Sequence, residues 1–393
     1  MPCDEEPTAV TALTSQPRVG FVGAGQLARM TASDAVALDV RLRVLAPDAG
    51  DSAARVLRDV VVGSHRDLDA LRGFAAGCDV VTFDHELTDP ADLQALAGEG
   101  HLLRPSPAAE RYAQDKWHQR TSFARLGLPV PAHARAETAA DVRAFGDEQG
   151  WPVVVKAVRG GYDGRGVWVL PDAAAVDELW PDAAASGAGL LVEAFVPIVR
   201  ELAVLVARRP GGQTVTYPIV ETVQVDGICR ELVVPAGAGA ATLAAAEELG
   251  LRIAEAVDVT GILAVELFDT AAGLVINEVA LRPHNSGHWT IDGARTSQFA
   301  NHLRAVLDWP LGAVEMTAPA VVTVNLLGVD DGGDPRAGVP AALAVPGVAV
   351  HLYGKVSRPG RKLGHVTATG SDVAEARRLA RQAARLMGTE AHW

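Results

Sequence analysis

Lysine is nearly missing from this chain: only Lys116, Lys156, Lys355 and Lys362 stand among 35 basic residues, the rest being arginine. A compact ammonium on a flexible stem and a planar guanidinium fork are not interchangeable, so each surviving lysine is a candidate for a specific task or a chance survivor. Lys116 is open to both readings. Net positive charge is also lacking, since 48 acidic residues outweigh the 35 basic ones to give −13. No general affinity for nucleic acid is written into such a composition. No apolar run approaches the roughly 18 residues of a membrane span, and Met1–Glu6 is acidic where a secretory leader would be basic. The expectation is a cytoplasmic protein that binds neither membrane nor nucleic acid. Cysteine is sparse too. Cys3, Cys78 and Cys229 are odd in number, far apart and free of any Cys-x-x-Cys pair, which predicts reduced thiols and no thiolate zinc site.

What remains is ample: 393 residues, 49% of them hydrophobic, exceed the usual single-core length. Residues 1–17 show neither helical nor strand period and carry three prolines, so they read as a disordered leader. From Arg18, apolar runs at Val19–Val22, Leu42–Leu45, Val60–Val62 and Val80–Phe83 alternate with helical stretches, predicting a parallel, Rossmann-like sheet over 18–114. Across 115–309 strand pairs dominate: 152–158 with 167–170, 201–207 with 215–220, and 262–268 with 274–279. Over 310–393, short β-like runs precede an amphipathic stretch with Ser371 as its N-cap and Val373, Leu379, Ala383, Leu386 and Met387 at helical spacing. That predicts a small C-terminal β-rich domain. No internal repeat is present.

Five segments carry chemistry. Gly23-Ala-Gly25-x-x-Ala28 follows a strand and fits the tolerant dinucleotide turn, but Ala46-Pro47 stands where a ribose-binding acid belongs; either a nicotinamide or flavin site or merely a tight strand-to-helix turn results. Lys156 closes a strand and opens into Gly160-Gly-Tyr-Asp-Gly-Arg-Gly166, four glycines in seven residues. Such a loop folds its N–H groups over a polyphosphate while the lysine meets the phosphate oxygens, although a plain flexible hairpin is the competing reading. In the third segment, pairing Phe268 with Leu274 across a five-residue loop places Glu266 and Glu278 on one face as diagonal neighbours. Their backbones would lie roughly 7–8 Å apart, close enough to share hard cations such as magnesium, unless the pair merely lines a solvent-exposed strand face. The fourth segment, Arg282-Pro-His284-Asn-Ser-Gly-His288-Trp, is polar and irregular, fit for binding and ill suited to a zinc pair. The fifth, Lys355 to Lys362, brings four positive charges around a Pro-Gly turn, a phosphate or carboxylate clamp unless it is a solvated turn.

In this order the motifs resemble the ATP-grasp superfamily, and within it the 5-(carboxyamino)imidazole ribonucleotide synthase family; the match runs from about Arg18 to the C-terminus. Gly160–Gly166, His284–Trp289 and Arg358–Lys362 are its specific segments. The resemblance implies an ATP-grasp fold with a Rossmann-like N-terminal domain, ATP and Mg2+ as cofactors, and a homodimer. It implies carboxylation of the exocyclic amine of 5-aminoimidazole ribonucleotide by bicarbonate, through carboxyphosphate, in purine biosynthesis. By that resemblance Arg111 and Lys156 contact ATP phosphates, and Gly161, Tyr162, Asp163, Gly164, Arg165, Gly166 and Val167 cover them. Glu193, Ala194, Phe195 and Val196 form the adenine hinge, Glu201 holds the ribose, Gln224 and Asn277 border the nucleotide, and Glu266 and Glu278 carry magnesium. Asp163, Arg165, Arg282, His284, Asn285, Ser286 and His288 surround the reacting groups, with Lys156, Arg282, His284 and Asn285 as the catalytic set. Lys355, Arg361 and Lys362 take the ribonucleotide 5′-phosphate. Gln224 and Ala280–Pro283 depart from the family pattern. Two alternatives stay open: another ATP-grasp ligase, such as the formate-using glycinamide ribonucleotide enzyme, and, more distantly, a nicotinamide-dependent oxidoreductase.

Overall fold

A computed structural model describes residues 16–161, 166–185, 187, 189–329 and 333–388. The expected leader, apart from its last two residues, and Tyr162, Asp163, Gly164 and Arg165 lie outside the described residues.

The four apolar runs near the start become β1 (Arg18–Val22), β2 (Arg41–Ala46), β3 (Asp59–Val62) and β4 (Val80–Phe83). They form a parallel sheet in the order β3-β2-β1-β4, so the loops after β1 and β4 emerge side by side at the carboxyl edge. That edge is where open α/β sheets place their ligands. The anion site expected at the β1 turn is filled from within. The Asp84 carboxylate, just past β4, accepts the amides of Gly25 (2.7 Å) and Ala28 (2.8 Å) at the start of helix Gln26–Ala37. A side chain of Asp84 thus sits where a dinucleotide would place its phosphate, and a Cβ at Gly25 would lie 2.2 Å from it. The turn is a capping device, and the nicotinamide reading loses its only support.

Helices Pro107–Gln114 and Lys116–Arg125 follow, capped by Ser106 and Asp115. Next comes a four-stranded antiparallel sheet made of β5 (His133–Ala136), β6 (Val153–Ala157), β7 (Val167–Leu170) and β8 (Leu190–Ala194), in the order β5-β8-β6-β7. The β6–β7 pair is the expected hairpin around the glycine loop.

The largest sheet has nine strands: β9 (Arg200–Arg208), β10 (Thr214–Thr216), β11 (Val220–Val225), β12 (Ile228–Val234), β13 (Gly261–Thr270), β14 (Gly273–Ala280), β15 (Ala320–Leu327), β16 (Val348–Leu352) and β17 (Lys362–Gly370). Its order is β14-β13-β9-β11-β12-β15-β17-β16, with β10 beside β9. The single partner expected at 215–220 is divided between β10 and β11, both against β9, because Pro218 has no N–H to offer the ladder. Val204, Val206, Leu263 and Val265 point to one buried layer that meets Ile253 and Val257 of helix Ala240–Val257. The C-terminal strands continue this sheet, Val233 pairing with Val322, so all eight residues of β15 are buried.

The last helix, Val373–Leu386, differs from expectation at its cap and on its buried face. Asp372, not Ser371, is the N-cap: its carboxylate accepts the Glu375 amide at 2.9 Å, while Ser371 N and Oγ both donate to the Glu375 carboxylate. The reciprocal pair satisfies more amide donors than a serine alone would. Ala376, Ala380, Ala383 and Ala384 form the buried face and Leu386 is left exposed, since small side chains let the helix lie close on β15 and β17.

Candidate active site

The β13–β14 hairpin is tighter than its expected five-residue loop. Thr270 pairs with Gly273 and Asp269 with Leu274, a turn made possible by Gly273 at φ 120°. That shift alone would set Glu266 opposite Asn277. A β-bulge corrects it: the ladder steps from Leu267–Ile276 to Glu266–Glu278, leaving Asn277 as the extra residue. The two carboxylates are therefore direct cross-strand partners, not diagonal ones. Glu201 joins them from β9, where Phe268 is its partner, two residues from the Glu266 row on the same side of the sheet.

Three carboxylates this close repel. Burial, then Glu278 and Glu201, push the Glu266 carboxyl well above the ordinary range, and burial with Glu278 pushes Glu201 up to about 7. Glu278 goes the other way, held ionised by Lys116, whose ammonium pairs with its Oε2. A charged group of like sign is expensive here without a cation, and hard oxygen donors on neighbouring strands match the donor set magnesium takes.

Lys156, at the end of β6, is 9% exposed and reaches Glu193 Oε2 at 2.7 Å and Asn277 Oδ1 at 3.2 Å. Burial lowers the lysine's proton affinity and Glu193 restores part of it. Glu193 is equally buried. Desolvation works to raise its pKa, but Arg120 and Lys156 outweigh that and bring it to about 2. Its carboxylate is thus committed inward as a counter-ion, leaving the main chain of Ala194, Phe195 and Val196, with Phe195 exposed, as the part of the hinge an adenine could meet.

Sequence reasoning missed Arg120 and left Lys116 undecided; lysine scarcity was the one usable signal for the latter. Arg111 is exposed on its helix, which packs against β14, and acts electrostatically on His118. Gln224 lies on β11, two residues beyond Thr222, the cross-strand partner of Glu201. Gly161, Gly166 and Val167 flank the cover loop, and Gly166 closes its base by accepting the Ala157 amide at 2.8 Å.

The loop after β14 crosses over to the carboxyl edge of the parallel sheet. Arg282 forms a two-pronged pair with Glu86, at 2.8 and 3.1 Å, two residues past the capping Asp84. His284 Nδ1 lies 2.8 Å from Ser286 Oγ and accepts the Ser286 amide, which turns Nε2 toward Glu266 Oε1 at 3.7 Å. Gln298 fastens this loop through the main chain of His284 and the ring of His288. His288 is fully buried and kept neutral by desolvation, so it supports the loop from beneath; Asn285 turns a buried, unpartnered Oδ1 inward.

Lys355 donates to Gln26 Oε1 of the first helix and lies 5.7 Å over the Tyr353 ring. Its loop is tied to the N-terminal sheet through Ser52 to Tyr353 O and Arg55 to Gly354 O. Lys362 is near enough to Glu266 to favour its ionisation, and Arg361 holds Val356 O at 3.1 Å. Of the basic cluster, Lys362 is thus the member with a shown influence on the carboxylate group. Asp292, His351 and His365 bring ligand atoms within 4.8 Å of one another. Their imidazoles stack at 4.6 Å and 26°, so the in-plane lone pairs do not converge on one ion.

Three family models match the chain: a ribonucleotide synthetase preATP-grasp domain over 17–114, an ATP-grasp domain over 121–299, and a phosphoribosylaminoimidazole carboxylase C-terminal domain over 321–379. The chain is 49% identical over 380 residues to N5-carboxyaminoimidazole ribonucleotide synthase of Mycobacterium tuberculosis, covering 93% of this chain and 86% of that one. Among solved structures it is similar to the Thermus thermophilus N5-carboxyaminoimidazole ribonucleotide synthetase, with TM-score 0.85, 36% identity, and 95% and 99% of the two chains covered. It is also similar to the Aspergillus clavatus enzyme in complex with ADP and 5-aminoimidazole ribonucleotide, with TM-score 0.86, 32% identity, and 95% and 99% covered. With identity spread along nearly the whole length and the three family models matched in order along the chain, the chain belongs to the N5-carboxyaminoimidazole ribonucleotide synthase family of ATP-grasp ligases.

Proposed function

We propose that this ligase carboxylates the exocyclic amine of 5-aminoimidazole ribonucleotide with bicarbonate and ATP. The observation that carries the reading is the group of charges gathered at the bulge, where Lys156 and Lys116 reach Asn277 and Glu278 beside Glu266, with Arg282 held by Glu86 and Lys362 close enough to act on Glu266.

Lys156 and Lys116 meet the nucleotide phosphates, the Gly161–Val167 segment covers them, and the main chain of 194–196 meets the base. Glu266 and Glu278, cross-strand partners with the bulge residue Asn277 beside them, would hold Mg2+, which when bound would offset phosphate charge as a Lewis acid. The Glu266 carboxyl, raised by burial and then by its carboxylate neighbours, and the oxygen-only donor set fit such an ion. A bicarbonate oxygen attacks the γ-phosphorus, the bond to the β–γ bridging oxygen breaks, and carboxyphosphate and ADP form. Amine nitrogen then attacks the carboxyl carbon, the carbon–oxygen bond to phosphate breaks, and the amine proton leaves with the phosphate. The products are a carbamate and hydrogen phosphate.

No covalent protein intermediate is required, so the residues act by placement. Arg282, oriented by Glu86, faces the developing carboxylate, and His284 and Asn285 line its approach. Asp163 and Arg165 belong to this substrate side. Lys355, Arg361 and Lys362 balance the 5′-phosphate, which an acidic protein must neutralise locally. The cytoplasm and a homodimeric assembly complete the proposal.

The test is ADP release with magnesium, ATP and bicarbonate. 5-Aminoimidazole ribonucleotide should raise the rate, and glycinamide ribonucleotide with formate should not. The reverse preference would assign the cleft to the sister ligase.

A further inference from the structure

Arg120 is the most deeply buried cation of the cleft, its side chain 1% exposed, on the helix that also carries Lys116 one turn earlier. Its Nε pairs with Glu193 Oε1, one Nη donates to Gln119 Oε1 at 2.7 Å, and the other Nη donates to the main-chain carbonyl of Asn277. Glu193 gives its second oxygen to Lys156, and Lys156 returns to Asn277 through the side-chain Oδ1. The contacts close a ring: Arg120, Glu193, Lys156, Asn277 and back to Arg120.

That ring joins two sheets. Glu193 and Lys156 belong to the four-stranded sheet, while Asn277 is the bulge residue of the nine-stranded one, immediately before Glu278. Lys116, at i−4 on the same helical face, grips the Glu278 side chain itself. One helix thus holds the bulge by its carbonyl and its neighbouring carboxylate at once. A guanidinium fork is the group that spans an acid and a carbonyl in one plane; an ammonium has no such geometry.

We infer that Arg120 is a positioning residue that fixes the phosphate-binding Lys156 relative to the carboxylate pair at Glu266 and Glu278. Held on Oε1, Glu193 presents only Oε2 to Lys156, and the bulge cannot drift from the lysine without breaking the ring. The inference rests on the proposal that Lys156 meets ATP phosphates.

Arg120→Lys keeps the charge and loses the bridge. Because a buried arginine also serves the fold, kcat is taken per folded site, counted by the stoichiometry of ADP binding. The expected loss is on the order of 100-fold in kcat, the scale of a small misplacement, with ATP KM moving by less than about threefold. Arg120→Ala is assayed in parallel with guanidinium at concentrations below those that denature the protein. Recovery of kcat with guanidinium but not with ammonium supports the positioning role. Undiminished kcat per folded site in Arg120→Lys, or equal recovery with either cation, overturns it. Lys156→Ala separates the two claims: if that variant kept its ATP affinity, the phosphate reading of Lys156 would fail whatever Arg120 did.

Discussion

Replacing Glu193 by glutamine removes one negative charge and almost no volume from the centre of the ring. Glu193 is 3% exposed and lies between Arg120 and Lys156, themselves 1% and 9% exposed. Neither cation can turn to water when the carboxylate is gone. Breaking a buried pair by deleting one partner costs about 3–5 kcal/mol. At roughly 2–4 °C per kcal/mol for a domain of this size, the unliganded variant should melt about 6–20 °C lower. A polyphosphate placed against Lys156 would supply the missing negative charge, so ADP or ATP should raise the variant's Tm by more than it raises wild type. Differential scanning fluorimetry with and without nucleotide measures both quantities. Were Glu193 instead an adenine contact, Glu193→Gln would alter base selectivity with little change in unliganded Tm. That result, or equal nucleotide shifts in both proteins, would refute the counter-ion reasoning.

Further outcomes follow from neighbouring groups. Lys156→Arg should not recover the ATP affinity lost in Lys156→Ala, as judged by isothermal titration, because a fork does not fit between Glu193 and Asn277. Glu278→Gln should raise the magnesium needed for half-maximal turnover while the circular dichroism spectrum is retained; near wild-type activity at low magnesium would remove the metal assignment. Glu201, with its pKa raised to about 7, and Glu266, raised by burial and crowding, bind more protons folded than unfolded. Metal-free stability from these groups therefore falls as pH rises from the ordinary carboxyl range through about 7. The Tm increase on adding Mg2+ should accordingly be larger at alkaline than at mildly acidic pH, and a flat pH dependence would contradict the crowding. Neutralising Arg361 or Lys362 should raise the 5-aminoimidazole ribonucleotide KM about tenfold, equivalent to about 1.4 kcal/mol, with ATP KM nearly unmoved.

Much of this architecture is legible in the residues because hydrophobic period is a local signal. The runs at β1 through β4 and the β6–β7 and β13–β14 hairpins fall where the pattern places them. Register is less local. A bulge at Asn277 and a turn at Gly273 decide whether two glutamates oppose each other, and neither leaves an unambiguous mark in alternation. The capping role of Asp84 was hidden for a different reason: its amide partners lie 59 and 56 residues away, and the glycine turn alone looks the same with a bound phosphate or an internal carboxylate. Arg120 was invisible in a chain rich in arginine, since burial and a committed acid distinguish it only in three dimensions. Lys116 stood out by rarity, whereas the exposed Arg111 took its assignment from resemblance.

The most direct test of the central claim follows oxygen. Bicarbonate fully labelled with 18O is supplied with ATP, magnesium and 5-aminoimidazole ribonucleotide, and the released phosphate is examined by mass spectrometry or 31P NMR. Attack of bicarbonate oxygen on the γ-phosphorus, followed by amine attack at the carboxyl carbon, leaves one labelled oxygen in each phosphate formed. Unlabelled phosphate accompanying carbamate formation would contradict the account.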